Sequence, residues 1–287
     1  MPVGEGLRRV AAIDLGTNST HLLIASVDPQ LRTFQVLLAE KSTTRLGERD
    51  PDTGDLSPEA MERARLALRH CRELASSHDV EEIVCVATSA MREAPNGLAF
   101  LEEVERDFGL KTEVISGPEE ARLIYLGVLS GMDFAEQPHY ILDIGGGSTE
   151  LILADAGDAR ALTSSRVGAV RLQRDFIRQE PLDRKRVQFL RAFIQGSMEP
   201  AVEKVRRRLE PDETPVLVAT SGTAMAAAAL LAVDRPELNG RLHGAEFGRA
   251  ELDALVQRVL PLTPEARRAL PGINARRAEI IVPGLLV

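Results

Sequence analysis

The sequence predicts an α/β protein made of two homologous halves. A pattern of the form D-x-G-x-x-S-T begins at Asp14 and again at Asp143, 129 residues later. A second pattern, V-x-V-A-T-S, begins at Val84 and again at Val216, 132 residues later. In each half, apolar strand patterns alternate with segments of helical spacing, which is typical of α/β layers. Two patterns that recur in the same order at nearly the same spacing indicate an internal duplication.

Length and composition agree with two globular domains, which we predict at residues 1–130 and 131–287. The chain has 287 residues, of which 44% are hydrophobic and 27% are charged, and domains commonly have roughly 150 residues. No apolar run is long enough to cross a membrane. The two cysteines, Cys71 and Cys85, lack metal-type spacing, which argues against a disulfide framework and a zinc site. We therefore expect a cytoplasmic protein with no membrane partner.

The net charge of −8 and the aromatic content of 3% exclude nucleic acid as a general partner. A polyanionic ligand would therefore need a local site. Residues 183–208 contain eight basic and three acidic residues. This stretch is interpreted either as solvated helix faces or as a track for a long polyanion.

Strand patterns flank each glycine-containing turn, so each half is predicted to begin with a hairpin. Helix starts are predicted at Ser57-Pro58, Asn96, Pro118 and Thr263-Pro264, with a stop at Gly109. Helical spacing over residues 187–209 predicts a helix interrupted near Gly196 and Pro200. The apolar residues 280–287 should be covered by a further helix or by a partner chain, so a homodimer is one expectation.

The two repeated turns have a composition suited to phosphate. Glycines let the backbone approach a ligand, consecutive N–H groups form an anion-binding nest, and hydroxyls add donors. The aspartate at each strand end suits a divalent cation. The helix start at 221–223 offers further N–H groups, although capping alone also explains it. The candidate phosphate ligands are Gly16, Thr17, Asn18, Ser19, Gly145, Gly146, Gly147, Ser148, Ser221, Gly222 and Thr223.

Five stretches carry a resemblance to a known family: VAAIDLGTNSTHLLIA, ISGPEEARLIYLGV, ILDIGGGSTELIL, VATSGT and RAEII. They resemble the exopolyphosphatase / guanosine pentaphosphate phosphohydrolase (Ppx/GppA) family over about residues 8–284. The resemblance implies two ribonuclease-H-like lobes of the actin-like ATPase superfamily, with the active site in the cleft between them. It also implies removal of the terminal phosphate from polyphosphate or from pppGpp, the stringent-response nucleotide, with Mg²⁺ or another divalent cation.

The resemblance assigns roles to side chains whose type and position alone leave them ambiguous. The resemblance makes Glu120 the base that activates water. Without the family, Glu120 is interpreted, like Glu119, as an acid that compensates the helix dipole. Glu150, otherwise a solvent-facing acid, joins Asp14 and Asp143 in holding the cation or positioning water. Arg92 and Arg45 become ligands of substrate phosphate, although an arginine in such a place is commonly a surface ion pair.

Three alternatives remain beside a polyphosphate phosphohydrolase. Hydrolysis of pppGpp to ppGpp at the same site is the alternative, because both substrates present a linear phosphate end. An ATP-dependent small-molecule kinase of the same superfamily is less favoured, because the EEAR helix stands in place of a sugar site. A nucleotide-sensing assembly protein without turnover fits least with two glutamates in the site.

Overall fold

A computed structural model describes residues 6–134, 137–238 and 240–287. The chain divides into two compact units, one ending at Ser116 and one beginning at Gly117. From residue 6 onwards, the first unit contains five strands and three helices: β1 (Arg8–Leu15), β2 (Thr20–Asp28), β3 (Thr33–Ser42), α1 (Pro58–Ser77), β4 (Glu82–Ala87), α2 (Ser89–Glu93), α3 (Gly97–Phe108) and β5 (Thr112–Val114).

The first unit is a mixed sheet of order β3-β2-β1-β4-β5. The hairpin pairs β1–β2 and β2–β3 are antiparallel, and β1–β4 and β4–β5 are parallel. Helix α1 begins as predicted, with the Ser57 hydroxyl accepting a hydrogen bond from the Ala60 N–H. Gly109 ends α3 in the left-handed region, as predicted. Asn96 precedes α3, but its side chain bonds to the Leu56 backbone and does not cap the helix.

The second unit contains four strands, eight helices and one 3-10 turn among its described residues. They are α4 (Gly117–Gly131), β6 (His139–Ile144), β7 (Thr149–Ala154), β8 (Ala159–Ser165), α5 (Ala169–Phe176), α6 (Arg184–Arg206), β9 (Val216–Thr220), α7 (Ser221–Ala232), a 3-10 turn (Pro236–Leu238), α8 (Arg249–Val259), α9 (Pro264–Arg268), α10 (Ala275–Ala278) and α11 (Ile281–Leu286).

The second sheet repeats the order and directions of the first four strands as β8-β7-β6-β9. Alternate residues of β7 face opposite layers: Ile152 packs with α4, whereas Leu151 and Leu153 pack with α6. Because α4 packs on β7 and β8, the chain enters the second unit before residue 130, where the domain boundary was predicted. The prediction of an α/β fold with two similar halves is confirmed.

Helix α6 is continuous, so the predicted interruption near Gly196 and Pro200 is wrong. A proline inside a helix removes one hydrogen bond, and its ring crowds the carbonyl four residues earlier. That carbonyl belongs to Gly196, and a side chain there would meet no neighbouring atom within 4 Å. Buried residues on both sides of the proline, among them Ile194 and Ala201, keep one face of α6 packed on the sheet. Packing therefore outweighs the local penalty.

The apolar C-terminal residues are covered within the second unit. Ile281 and Val282 are buried in a cluster with Leu230 of α7 and Leu255 of α8. The cover predicted from a further helix or a partner chain is thus supplied, for these residues, by helices of the same unit. Among the described residues, no helix is both long and apolar enough to cross a bilayer.

Candidate active site

The second glycine turn (residues 143–149) joins β6 to β7. The Gly145 N–H donates to the Ser148 carbonyl at 3.0 Å and closes the turn. A Cβ at Gly145 would lie 3.0 Å from that same carbonyl oxygen, so this close approach favours glycine. The Gly145 carbonyl accepts from Ala169 N–H, and the Gly146 carbonyl accepts from the N–H groups of Val170 and Arg171, at 2.9–3.0 Å.

These bonds fix the direction of the turn's own N–H groups. In a trans peptide, the carbonyl of one residue and the N–H of the next point in opposite directions. Because the carbonyls of Gly145 and Gly146 point at the start of α5, the N–H groups of Gly146 and Gly147 point away from it. Consecutive N–H groups on one side of a turn form a concavity that suits an anion.

Two carboxylates lie side by side next to this turn. Asp143 is directly opposite Glu150 in the antiparallel pairing of β6 and β7, and such residues have Cβ atoms about 4.5–5.5 Å apart. Glu150 is only 1% exposed. Its Oε1 accepts a hydrogen bond from the Ser164 hydroxyl of β8 at 2.7 Å. The predicted solvent-facing alternative for Glu150 is therefore wrong.

Helix α4 brings Glu120 to the same two carboxylates. At its first residue, Gly117, a Cβ would lie 2.6 Å from the Ser164 Cβ, so glycine permits α4 to begin against β8. The charge of Glu120 raises the pKa of both Asp143 and Glu150. The neighbouring Glu119 instead receives two hydrogen bonds from Arg122, at 2.7 and 2.8 Å. The two adjacent glutamates thus have different surroundings.

Burial and neighbouring charges raise the pKa values of Asp143 and Glu150. The pKa of Asp143 is raised to about 7, first by burial and then by Glu120, while the Ser221 hydroxyl acts in the opposite direction. The pKa of Glu150 is raised to about 8 by burial, by Glu120 and by Asp143, against hydrogen bonds from Ser164 and Ser148. A nearby cation would favour the ionised forms of all three carboxylates.

The donor set fits a hard divalent cation. Mg²⁺ is commonly held by one or two carboxylates, with water and substrate phosphate as its other ligands. Asp143 and Glu150 provide two adjacent carboxylates for such an ion. No group of three or more His, Cys, Asp or Glu side chains within the described ranges is arranged to hold a metal by itself. The residues therefore suit a cation that substrate helps to bind.

The start of α7 completes the same end of the sheet. The hydroxyls of Ser221 and Thr223 both donate to the Ile144 carbonyl, at 2.8 and 3.0 Å. Ser221 has a φ of 74°, in the left-handed region that costs a non-glycine residue about 1 kcal/mol or more. Such a conformation is found where a site requires a fixed direction of the chain.

Arg277 is a residue of this region that sequence reasoning missed. A Cβ on Gly222 would lie 2.0 Å from one of its guanidinium nitrogens, so the guanidinium lies directly over Gly222 at the start of α7. Burial lowers the pKa of Arg277. Its guanidinium has no carboxylate or carbonyl partner among the described residues. The available signal was its place in the stretch RAEII, which carried the family resemblance without a role for any residue in it.

The first glycine turn (residues 14–20) has the same backbone closure in the first unit. The Gly16 N–H donates to the Ser19 carbonyl at 3.0 Å. The carbonyls of Thr17 and Asn18 accept from the N–H groups of Gly47 and Arg45, at 2.8 and 3.0 Å. The N–H groups of Asn18 and Ser19 therefore point away from the 45–47 segment, as in the second turn.

The two predicted arginines of the first unit lie beside its turn and at the end of its parallel strands. Arg45 contacts the first turn through its backbone N–H and has a φ of 53°. Its guanidinium pairs with Glu48 at 3.4 Å. Arg92, in α2, donates to the Ile115 carbonyl at 2.7 Å, just after β5. Their roles toward phosphate stay predictions.

The basic stretch at 183–208 lies on the other side of the second sheet. Its helix, α6, packs against Leu151 and Leu153, whereas Glu150 belongs to the opposite face of β7. The basic side chains are exposed, and Arg207 pairs with Glu203 at 3.0 Å. This position agrees with solvated helix faces and separates the stretch from the carboxylates of the second unit.

Comparison with known sequences identifies the family. The sequence model of the Ppx/GppA phosphatase family matches residues 23–287. The chain is 34% identical to Exopolyphosphatase 2 of Mycobacterium tuberculosis, covering 98% of this chain and 89% of that protein. It is 30% identical to Exopolyphosphatase 1 of Mycobacterium leprae, covering 97% of this chain and 81% of that one.

Solved structures agree over nearly the whole chain. An exopolyphosphatase from Cytophaga hutchinsonii aligns with a TM-score of 0.83 and 26% identity, over 97% of this chain and 88% of that one. A Ppx/GppA family member from Aquifex aeolicus aligns with a TM-score of 0.78 and 28% identity, over 98% and 88% of the two chains. On its sequence and its fold alike, the chain belongs to the Ppx/GppA phosphatase family.

Proposed function

We propose that this phosphatase releases the terminal phosphate of inorganic polyphosphate by attack of a water molecule. The observation that carries the proposal is the cluster of Glu120, Asp143 and Glu150 beside the second glycine turn. Its carboxylates provide a base and cation ligands, and the turn provides N–H donors for phosphate. Relatives named exopolyphosphatase support the choice of substrate.

Asp143 and Glu150 would hold a divalent cation, Mg²⁺ by the nature of the ligands, with Asp14 of the first turn as a further predicted ligand. When bound, the cation neutralises charge on the phosphate oxygens. Glu150 also keeps its hydrogen bond to Ser164, which fixes its orientation. Because the pKa values of Asp143 and Glu150 are raised, a nearby cation would favour their ionised forms at neutral pH.

Glu120 accepts the proton of the attacking water. The water oxygen bonds to the terminal phosphorus, the bond to the bridging oxygen breaks, and the shortened chain leaves with that oxygen. Asp143 and Glu150 flank Glu120 and are less suited to the role of base if they hold the cation. Glu119 is engaged by Arg122, so its carboxylate is not free to replace Glu120.

Backbone N–H groups, hydroxyls and guanidinium groups neutralise the phosphate chain. Arg277 joins the predicted ligands because its guanidinium lies at the start of α7 without a carboxylate partner in the described ranges. A planar guanidinium bonds two phosphate oxygens at once. The proposed ligands are Gly16, Thr17, Asn18, Ser19, Arg45, Arg92, Gly145, Gly146, Gly147, Ser148, Ser221, Gly222, Thr223 and Arg277.

The test is phosphate release from four substrates measured side by side: long-chain polyphosphate, tripolyphosphate, pppGpp and ATP, each with Mg²⁺ and with EDTA. We expect the highest kcat/KM on long-chain polyphosphate and no turnover in EDTA. A preference for pppGpp would replace polyphosphate by the alternative substrate at the same site. Transfer of phosphate to an added alcohol or sugar, without release, would contradict hydrolysis and favour a kinase.

A further inference from the structure

We propose that Arg171 is a positioning residue that locks the second glycine turn in its phosphate-binding conformation. The inference rests on the proposed function, because it assumes that the turn binds substrate phosphate. Nothing in the sequence distinguished Arg171 from other arginines. The structure places its side chain on the Gly147 carbonyl, the one carbonyl of the turn's glycines that accepts no hydrogen bond from a backbone N–H of the described residues.

The three glycine carbonyls are held in different ways. Those of Gly145 and Gly146 accept from backbone N–H groups at the start of α5, which any sequence could provide. The Gly147 carbonyl accepts from the Nε of Arg171 at 2.8 Å, which depends on the side chain. Opposite this carbonyl is the N–H of Ser148, because the peptide is trans. Arg171 therefore fixes the direction of the last N–H donor in the turn.

A close approach of two backbones makes this arrangement specific. At Gly168, which precedes α5, a Cβ would lie 2.5 Å from the backbone carbon and oxygen of Gly146 and from the carbon of Gly147. Only glycine therefore permits α5 to begin directly against the turn. The half-buried Arg171 then reaches back from the first turn of the helix to Gly147.

The first glycine turn shows that backbone N–H groups alone can hold the carbonyls of such a turn, without a side-chain donor. Thr17 and Asn18 are equivalent to Gly146 and Gly147. Their carbonyls accept from the backbone N–H groups of Gly47 and Arg45. The second turn uses a guanidinium at the position equivalent to Asn18. Because a guanidinium is charged, its hydrogen bond to the carbonyl is stronger than a neutral one. The second turn is thus held more firmly, but by a bond that one substitution removes.

The experiment compares three full-length variants. Arg171→Met keeps the stem but loses the donor, Arg171→Lys keeps a positive donor, and Arg174→Met is the control on an exposed position of α5. We expect Arg171→Met to raise KM for polyphosphate about tenfold or more, the loss expected for one charge-assisted hydrogen bond. The kcat should change less than about threefold, since the bond orients groups that hold substrate before and during reaction. Arg171→Lys should recover part of the KM, and Arg174→Met should match the wild type.

A second pair of variants tests the close approach. Gly168→Ala should raise KM further, because the added methyl group forces the turn away from α5. Gly127→Ala is its control, since a Cβ there meets no neighbouring atom within 4 Å on α4. The melting temperature of every variant is recorded. An equal loss of kcat/KM in Arg171→Met and Arg174→Met, or an unchanged KM in Arg171→Met, overturns the positioning role.

Binding of tripolyphosphate, measured by titration calorimetry, separates this inference from the proposed function. If the wild type binds tripolyphosphate but releases no phosphate, the proposed function fails, and a weaker affinity of Arg171→Met still supports the positioning role. If the wild type hydrolyses polyphosphate and Arg171→Met binds tripolyphosphate with unchanged affinity, the positioning role fails alone. If the wild type neither binds tripolyphosphate nor hydrolyses polyphosphate, both fail.

Discussion

The turn that follows β1 and the turn that follows β6 share a backbone hydrogen bond of 3.0 Å and differ in what lies opposite the aspartate. In the first unit, Asp14 pairs across the hairpin with His21, which is exposed. In the second unit, Asp143 pairs with Glu150, which is 1% exposed. The duplication thus preserves a turn that suits an anion, while one substitution adds a carboxylate to the second copy.

Neighbouring residues add further differences between the two turns. Helix α4 adds the charge of Glu120, and the hydroxyl of Ser164 orients Glu150. The register of the crossing strand differs as well. Asp14 lies beside Val86, whereas Asp143 lies beside Thr220, two positions beyond the residue equivalent to Val86. This shift brings Ser221 level with the end of β6, where its hydroxyl reaches Asp143 and Ile144. The two copies thus share the backbone of the turn, whereas the carboxylates of the proposed chemistry belong to the second copy.

The largest expected effect comes from removing the proposed base. Glu120→Gln keeps the shape and hydrogen bonding of the side chain but cannot accept the proton of water. Loss of a general base typically costs about 10²–10⁴-fold in rate, so we expect kcat on polyphosphate to fall in that range. Affinity for polyphosphate should change little, because the turns and arginines hold the phosphate chain.

Glu119→Gln is the matched control for this prediction. It removes a carboxylate that pairs with Arg122 and should change kcat less than about threefold, because a surface ion pair contributes little, and its contribution is to stability. Steady-state kinetics and a binding titration on both variants decide the matter. A greater loss of kcat in Glu119→Gln, or near-normal turnover in Glu120→Gln, would show that Glu120 is not the base.

The second prediction concerns the residue opposite the aspartate, where the two turns differ. Glu150→Gln makes the second hairpin as free of a carboxylate at this position as the first, so we expect kcat to fall about 100-fold through weaker cation binding and lost orientation. His21→Gln changes the equivalent residue of the first hairpin and should cost less than about tenfold. Turnover measured over a range of Mg²⁺ concentrations should show that Glu150→Gln alone needs more Mg²⁺. Equal losses in the two variants would mean that the turns share the chemistry.

The duplication, the strands and the helix starts at Ser57, Pro118 and Thr263 could be predicted from sequence, because local patterns determine them. Glu150 breaks the repeat, because the first copy has His21 at this position, and the family resemblance supported its grouping with Asp143. Glu120 required the family resemblance, because nothing local shows which strand a helix start will approach.

Three features depend on tertiary contacts that sequence patterns do not report. The continuity of α6 through Pro200 is decided by packing on the sheet. The positions of Arg277 over Gly222 and of Arg171 on Gly147 depend on how short helices pack against the site. The glycines offered a partial signal, since Gly168 and Gly222 each admit a close neighbour that any side chain would exclude.

The smallest expected effect is on the free energy of unfolding, which can be measured without any substrate. In the folded protein, burial and neighbouring charges raise the pKa of Asp143 to about 7 and of Glu150 to about 8, against about 3.9 and 4.3 in an unfolded chain. Between these values the folded state binds more protons than the unfolded state. The contribution of these two groups to the free energy of unfolding should therefore be fully present below about pH 4 and fall as the pH rises towards 8.

Denaturant unfolding in EDTA at pH 5, 6, 7 and 8 measures this slope. We expect a decrease of at least about 1.4 kcal/mol, the equivalent of one pKa unit, and we expect Mg²⁺ to restore part of it at pH 8, because the cation binds only the folded state. Glu150→Gln should flatten the slope, since an amide has no proton to lose. Glu119→Gln should leave it unchanged, because the pKa of Glu119 is lowered by Arg122 and its proton is lost below this range. Asp143 keeps its own raised pKa in Glu150→Gln, so part of the slope should remain there. A slope as steep in Glu150→Gln as in the wild type would show that Glu150 is not one of its sources, whereas a reduced slope would show that the carboxylate added to the second turn destabilises the protein when no cation is bound.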